Sequence, residues 1–157
     1  MTQPQLRPAR PDDIAHFYDH ESDPEARRRA NFPPRDLATF TAHWENKILG
    51  NPTVRARAVL VDGELVGNVV AWWQEDRRYV GYWLARECWG RGIGTAALRL
   101  FLTEEAVRPL YADTDAGNTA SAKLLERCGF RRVSAEGEPN LLLVLEGEGE
   151  TDPGGGL

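Results

Sequence analysis

Several features that would place a protein quickly are scarce in this chain. Cysteine occurs twice in 157 residues, at Cys88 and Cys128, which is too few and too widely spaced for a disulfide framework. Both read as packing thiols. No uninterrupted apolar run approaches the roughly 20 residues of a membrane helix. The start, MTQPQLRPARPDD, lacks the apolar h-region of a secretory signal. A cytoplasmic chain with no membrane partner is therefore expected. A basic excess is missing as well: the formal net charge is −5, which argues against a dedicated nucleic-acid binder and would steer cationic ligands inward. The run Arg27–Arg29, beside Asp23 and Glu25, reads as a solvated helix face.

What is present is a folding composition. Hydrophobic residues make up 41%, enough for one ordinary core. A single domain over 1–146 is expected, as a monomer or homodimer. The tail 147–157, GEGETDPGGGL, carries one apolar residue at its very end. It cannot offset its ordering entropy, so disorder is expected there.

The domain alternates strand and helix signals. QLRPAR suggests a first strand and Asp12 to Asp19 a helix. Leu37, Phe40, Thr41 and Trp44 have helical spacing, and GNP at Gly50–Pro52 marks a turn. RAVLV, the turn Asp62–Gly63 and ELVGNVVAWWQ form a strong hairpin signal. EDRR breaks the run, and YVGYWLA follows as a strand. Ile93, Ala96, Ala97, Leu100 and Phe101 then predict one buried helical stripe. PLYADT reads as a strand and NTASAKLLERCGF as a helix, with Asn118 at its N-cap and Gly129 at its end. FRRVSAE and NLLLVLE close the order as strands. The class is α/β, a mixed and mostly antiparallel sheet of six to seven strands with about four helices.

The stretch Trp89 to Leu102, WGRGIGTAALRLFL, puts glycines 90, 92 and 94 at a helix start. Glycine costs about 0.5–1 kcal/mol against alanine in a regular element, so bulk is being avoided there. Free N–H groups at such a start, with the helix dipole behind them, bind anions. Side chains on Gly92 or Gly94 would block a phosphate. The same glycines, as Gly92-x-Gly94-x-x-Ala97, also fit a dinucleotide-oxidoreductase fingerprint, with Asp113 about 20 residues later. That rival is disfavoured because a hairpin precedes the glycines rather than an opening βαβ unit.

VGYWLARECWGRGIGTAALRLFL followed by LYADTDAGNTASAKLLERCGFRRV resembles the GNAT superfamily of acyl-CoA N-acetyltransferases, and is most similar to the Rim-type branch of ribosomal-protein N-terminal acetyltransferases. The family's loop Gln/Arg-x-x-Gly-x-Gly/Ala reads here Trp89-Gly90-Arg91-Gly92-Ile93-Gly94, with Trp89 in the first place. The resemblance implies the GNAT fold, splayed at two central parallel strands by a bulge. It implies acetyl-CoA as cosubstrate and an amine acceptor, either a small molecule or a peptide N-terminus. Gly90, Arg91, Gly92, Ile93, Gly94 and Thr95 would hold the pyrophosphate. Main-chain groups of Trp83, Leu84 and Ala85 would run beside the pantetheine arm, Asn118 would bond it, and Lys123 would reach a phosphate. No metal is implied.

The reaction so implied is direct attack of the amine on the thioester. An N–H near Leu84 or Ala85 would meet the oxyanion. Many relatives protonate the leaving thiolate with a tyrosine where this chain has Leu125, so Ser121, one turn earlier, is the substitute catalytic residue. A glutamate often serves as base where this chain has Tyr79. Glu75, Asp113, Asp115 or a water chain are the alternatives. The aromatics Trp72, Trp73, Tyr79, Tyr82 and Trp83 read mostly as core. The absence of the usual tyrosine and glutamate also admits a non-catalytic acyl-CoA sensor on the same fold.

Overall fold

The computed structural model describes residues 3–30, 35–135 and 137–147. From residue 148 onward, the tail expected to be disordered lies outside the described residues.

Strands β2 (Arg55–Val61) and β3 (Glu64–Gln74) are antiparallel. They are joined at Asp62 and Gly63, whose φ values are 54° and 82°. Such a turn matches the right-handed twist of its flanking strands. Glu75, with φ 58°, begins a second tight turn into β4 (Arg77–Leu84), in which Gln74 pairs with Arg77 and Trp73 with Arg78. The turn thus needs only Glu75 and Asp76. Arg77 and Arg78, expected to lie outside any strand, begin one.

With β1 (Gln5–Pro8), β5 (Leu110–Asp115), β6 (Arg131–Arg132) and β7 (Asn140–Leu145), the sheet has seven strands in the order β1-β2-β3-β4-β5-β7-β6. FRRVSAE contributes only the two residues of β6. Among the described residues β4 and β5 are the one parallel pair, which excludes the doubly wound parallel sheet of a dinucleotide oxidoreductase. Their register holds only Arg78 against Leu110 and Tyr79 against Tyr111, and beyond these the strands part. The bulge expected at this splay is absent. The β3–β4 register is unbroken from Gly67–Leu84 to Gln74–Arg77, and the sheet's register shift falls between Val59 and Leu60 in the β2–β3 pairing.

Five α-helices flank the sheet rather than about four: α1 (Ile14–Glu21), α2 (Pro24–Ala30), α3 (Leu37–His43), α4 (Ile93–Glu104) and α5 (Thr119–Arg127). The run Arg27–Arg29, read as a helix face, lies on α2, a helix separate from α1. Pro24 starts α2, and Asp23 caps it by accepting from the Ala26 N–H at 3.0 Å. A π-helical turn, Trp44–Leu49, continues α3. Two cores result. Leu98, Phe101 and Leu125 pack with Val69 and Leu110 on one face of the sheet. Phe17, Phe40 and Trp44 pack with Ala58 and Val70 on the other. The stripe of α4 is rotated from its expected phase: Ile93, Ala97 and Phe101 are buried, but Leu98 joins them and Leu100 is 40% exposed. No helix among the described residues is long and apolar enough to cross a membrane.

Candidate active site

Where β4 leaves β5, a cleft of about 1570 Å³ opens, lined from α4 and α5 on one side and from α1 and α3 on the other. Hydrogen-bond direction decides which backbone groups face it. The Ala85 N–H donates to the Val66 carbonyl at 2.7 Å. Alternation along the strand therefore turns the main chain of Trp83 and Ala85 toward β3, and that of Tyr82 and Leu84 toward the gap. The bare edge expected at Trp83–Ala85 is thus Tyr82 and Leu84, and Ala85 has no amide left for an oxyanion. The Leu84 carbonyl accepts from the Trp89 indole Nε1 at 3.2 Å, which leaves its N–H facing the cleft.

The three glycines before α4 are there for different reasons. Gly90 and Gly92 have φ of 74° and 77°, and a Cβ on either would meet nothing within 4 Å. Left-handed backbone, which glycine adopts without strain, is their requirement. At Gly94 a Cβ would lie 2.6 Å from Leu124 Cδ1 and 2.9 Å from Leu84 Cδ1. Bulk is excluded there by the protein's own side chains rather than by a ligand. The first bond of the helix runs from the Ala96 N–H to the Gly92 carbonyl at 3.1 Å, so the amides of Ile93, Gly94 and Thr95 precede it without an intrahelical acceptor. The Ile93 side chain is buried in the core. The Arg91 side chain turns away to the Glu87 carbonyl at 3.1 Å. The Arg29 guanidinium stacks 4.6 Å above the Trp89 ring, so one arginine of the run expected to be solvated packs beside this loop.

Asn118 caps α5, its Oδ1 accepting from the Ser121 N–H at 3.2 Å, and it lines the cleft with Ser121 and Lys123. Sequence reasoning placed Tyr82 mostly in the core, yet it lines the cleft. Its hydroxyl lies 2.6 Å from Ser121 Oγ and 3.3 Å from the Ser121 carbonyl. Burial pushes its pKa up to about 12, against the opposing pull of the Ser121 hydrogen bond. The period-2 pattern of β4 held this signal: Tyr82 shares a face with Val80 and Leu84, the face on which α5 packs.

Four residues were candidates for a base. Glu75 is exposed in the hairpin turn, and Tyr79 is stacked between Trp72 and Tyr111 at 6.0 and 5.8 Å; neither lines the cleft. Asp113 and Asp115 do. Asp115 is occupied by the Gly117 N–H at 2.8 Å. Asp113 has no hydrogen bond to another residue's side chain among the described residues; its surface is exposed toward the cleft, and the partial desolvation there pushes its pKa above the ordinary aspartate value.

Sequence reasoning also passed over Asn68. It is 8% exposed, lines the cleft, and its side chain makes no hydrogen bond among the described residues. Its amide atoms are not among the side-chain atoms sealed from solvent, so the amide faces the open cleft and is free to bond what enters it.

The chain matches the family described as acetyltransferase (GNAT) domain over residues 5–131. No curated protein sequence matches it. Among solved structures it is similar to the aminoglycoside acetyltransferase AAC(6')-Ib in complex with parmomycin and acetyl-CoA, at 18% identity, over 96% of this chain and 97% of that one, with a TM-score of 0.76. It is also similar to an acetyltransferase from Thermus thermophilus, at 21% identity, over 92% and 97%, with a TM-score of 0.76. At these identities the likeness is one of fold.

Proposed function

The chain belongs to the GNAT acetyltransferase domain family, and from that premise we propose that it transfers the acetyl group of acetyl-CoA to a primary amine, on a small molecule or at a peptide N-terminus, by direct attack on the thioester. The observation that carries this reading is the parting of β4 from β5 beyond Tyr79 and Tyr111. That gap brings unbonded helix-start amides, a bare strand edge and the Asp113 carboxylate to one cleft. Within the family, the Asn118-x-x-Ser121 helix start and Gly129-Phe130 favour the Rim-type branch. The acetyl-CoA and aminoglycoside held by AAC(6')-Ib support the donor and an amine acceptor.

In this reading the loop Gly90–Gly92 and the amides of Ile93, Gly94 and Thr95 take the pyrophosphate, with Lys123 beside them. The pantetheine arm lies along Tyr82 and Leu84 as an added strand, next to Asn118. The amine enters from the face of α1 and α3, where Asp113 takes its proton. Its lone pair forms the N–C bond, and the Leu84 N–H receives the carbonyl oxygen as charge develops there. The C–S bond then breaks, and the electron pair leaves with sulfur toward α5. There Ser121 Oγ–H donates a hydrogen bond to it. The nitrogen's remaining excess proton passes through solvent to the thiolate, giving the neutral amide and free CoA thiol. The 2.6 Å contact between the Tyr82 and Ser121 hydroxyls accepts either as donor; a phenol is the stronger one, so in this scheme the Tyr82 O–H donates to Ser121 Oγ and leaves the serine proton free to point into the cleft. Tyr82 is a positioning residue in this scheme.

Calorimetric titration with acetyl-CoA and with NADH, followed by measurement of free CoA released with a panel of amines, tests the reading. Binding of acetyl-CoA alone and steady amine-dependent release are expected. Binding without release for every amine would overturn the transferase in favour of an acyl-CoA sensor.

A further inference from the structure

Asn68 is unused by the chemistry proposed above, and its surroundings say what it is for. On β3 it faces α1 and α3, between its cross-strand partners Ala58 and Trp83 and on the same face as Val70 and Trp72. Trp72 on its own strand and its partner Trp83 are only partly buried and line the cleft on the same sheet face, so the amide is a neutral polar group flanked by aromatic side chains. A carboxamide is neutral and both donates and accepts. Its match is a neutral group that does the same, because an ion placed there would lose its hydration without a counter-charge.

The charges around the amide point the same way. Glu21, the acid nearest α1 on this wall, is occupied by Arg35 Nη2 at 2.8 and 2.9 Å. The α3 side of the cleft offers His43 and Lys47. A second ammonium on the acceptor would meet basic groups where it needs an acid. The chain's negative net charge therefore does not extend to this wall.

We infer that the acceptor is a monoamine bearing an apolar, flat body and a neutral amide beside its amino group, with the amide bonded to Asn68 and the body lying against Trp72 and Trp83. This rests on the transferase reading and narrows its acceptor. Free amino-acid amides and peptide N-termini share that chemistry.

The test compares phenylalaninamide, a tetrapeptide beginning with phenylalanine, phenethylamine and spermidine, by initial rates of CoA release and by quenching of tryptophan fluorescence without acetyl-CoA. Phenylalaninamide, the tetrapeptide or both should exceed phenethylamine in kcat/KM by about ten-fold, the size of one well-placed hydrogen bond, with spermidine lowest. Asn68→Ala should reduce that amide advantage to within about two-fold and weaken quenching by phenylalaninamide to a similar extent. Asn68→Leu should do the same with a Tm close to the parent's, since the amide has no protein hydrogen bond to lose. A preference for spermidine, or an amide advantage that survives in both variants, would overturn the inference while leaving the transferase intact. Quenching by phenylalaninamide that depends on Asn68, with no CoA released from any amine, would overturn the transferase and keep the binding site.

Discussion

The Tyr82 hydroxyl and Ser121 Oγ stand 2.6 Å apart across the interface of β4 and α5, inside the cleft that the parted strands create. Because the phenol's pKa is raised to about 12, it stays protonated throughout the working range and its proton is always available to Ser121. Ser121→Ala should lower kcat by about ten- to a hundred-fold, the lower range of positioned proton donors. CoA affinity by calorimetry should change little. Tyr82→Phe should have a smaller effect of the same kind, and the double variant should be no worse than Ser121→Ala, because the two act as one unit. Additive losses would show that Tyr82 acts independently, and an unchanged kcat in Ser121→Ala would remove the pair from the mechanism.

Asp113 is the cleft carboxylate with a raised pKa, and partial desolvation is the cause. As a base it works only when ionised, so kcat/KM should rise with pH through a value above the ordinary aspartate one. Asp113→Asn should lower the neutral-pH rate by about a hundred-fold, within the usual reach of general-base catalysis, and erase that acidic limb. The stability sign is opposite to that of an ion-paired acid. A folded pKa above the unfolded one contributes stability at low pH that is lost as pH rises through the folded value. Asp113→Asn should therefore melt no lower than the parent at pH 7. A retained acidic limb in the variant would move the base elsewhere.

The two glycines Gly92 and Gly94 separate conformation from bulk. Asparagine tolerates left-handed backbone, and a Cβ at Gly92 meets nothing within 4 Å. Gly92→Asn should thus fold with a Tm close to the parent's. If the open space beside it belongs to a phosphate, CoA affinity should fall by about ten-fold or more, equivalent to one lost charge-assisted hydrogen bond. Gly94→Ala should instead leave CoA affinity unchanged and cost about 1 kcal/mol of stability or less, since the atoms it displaces, Leu124 Cδ1 at 2.6 Å and Leu84 Cδ1 at 2.9 Å, are side-chain ends and alanine gains helix propensity. Denaturant unfolding and CoA titration on both variants distinguish the two effects. Undiminished CoA affinity in Gly92→Asn would count against the phosphate loop.

Much of this frame was readable in the residues because it is locally encoded. Asp62–Gly63 fixes its hairpin through positive φ, Asn118 caps α5 with its own side chain, and Gly129 ends that helix with φ 98°. Features set by distant partners were not readable. Leu98, Leu100 and Leu102 are equally apolar, so only the sheet and α5 decide that Leu98 turns inward. The edge facing the gap depends on which carbonyl Ala85 chooses, and that is Val66 on another strand. Tyr82 and Asn68 look like ordinary strand residues until α5 and α1 are packed against them. The carboxylates near the splay could be enumerated from the sequence, but their ranking needed burial and partners.

Arg78 and Glu105 close the narrow end of the wedge. Arg78 Nη2 meets Glu105 Oε1 at 2.9 Å and Nη1 meets the Thr53 carbonyl at 2.7 Å, at the register position where β4 still pairs with β5. Both side chains are almost wholly buried. Burial pushes the Glu105 pKa up, but hydrogen bonds from Arg78 and the Val107 N–H outweigh it and hold it below the ordinary value. A lowered folded pKa gives stability that is full above the unfolded pKa, about 4.3, and is lost as pH falls through the folded value. Arg78→Met removes the main partner and leaves Arg55 Nε at 3.3 Å. Breaking a buried pair in this way costs about 3–5 kcal/mol. With burial then dominant, the Glu105 pKa should rise and the sign invert, so the variant should be less stable at pH 7 than at pH 5 in urea unfolding, whereas in the parent Glu105 contributes equally at both. Adding Glu105→Leu should recover most of the loss at pH 7, because it removes the stranded charge. If Arg78→Met keeps the parent's pH dependence, Glu105 is held by its other partners and the wedge is closed by the strand pairing alone.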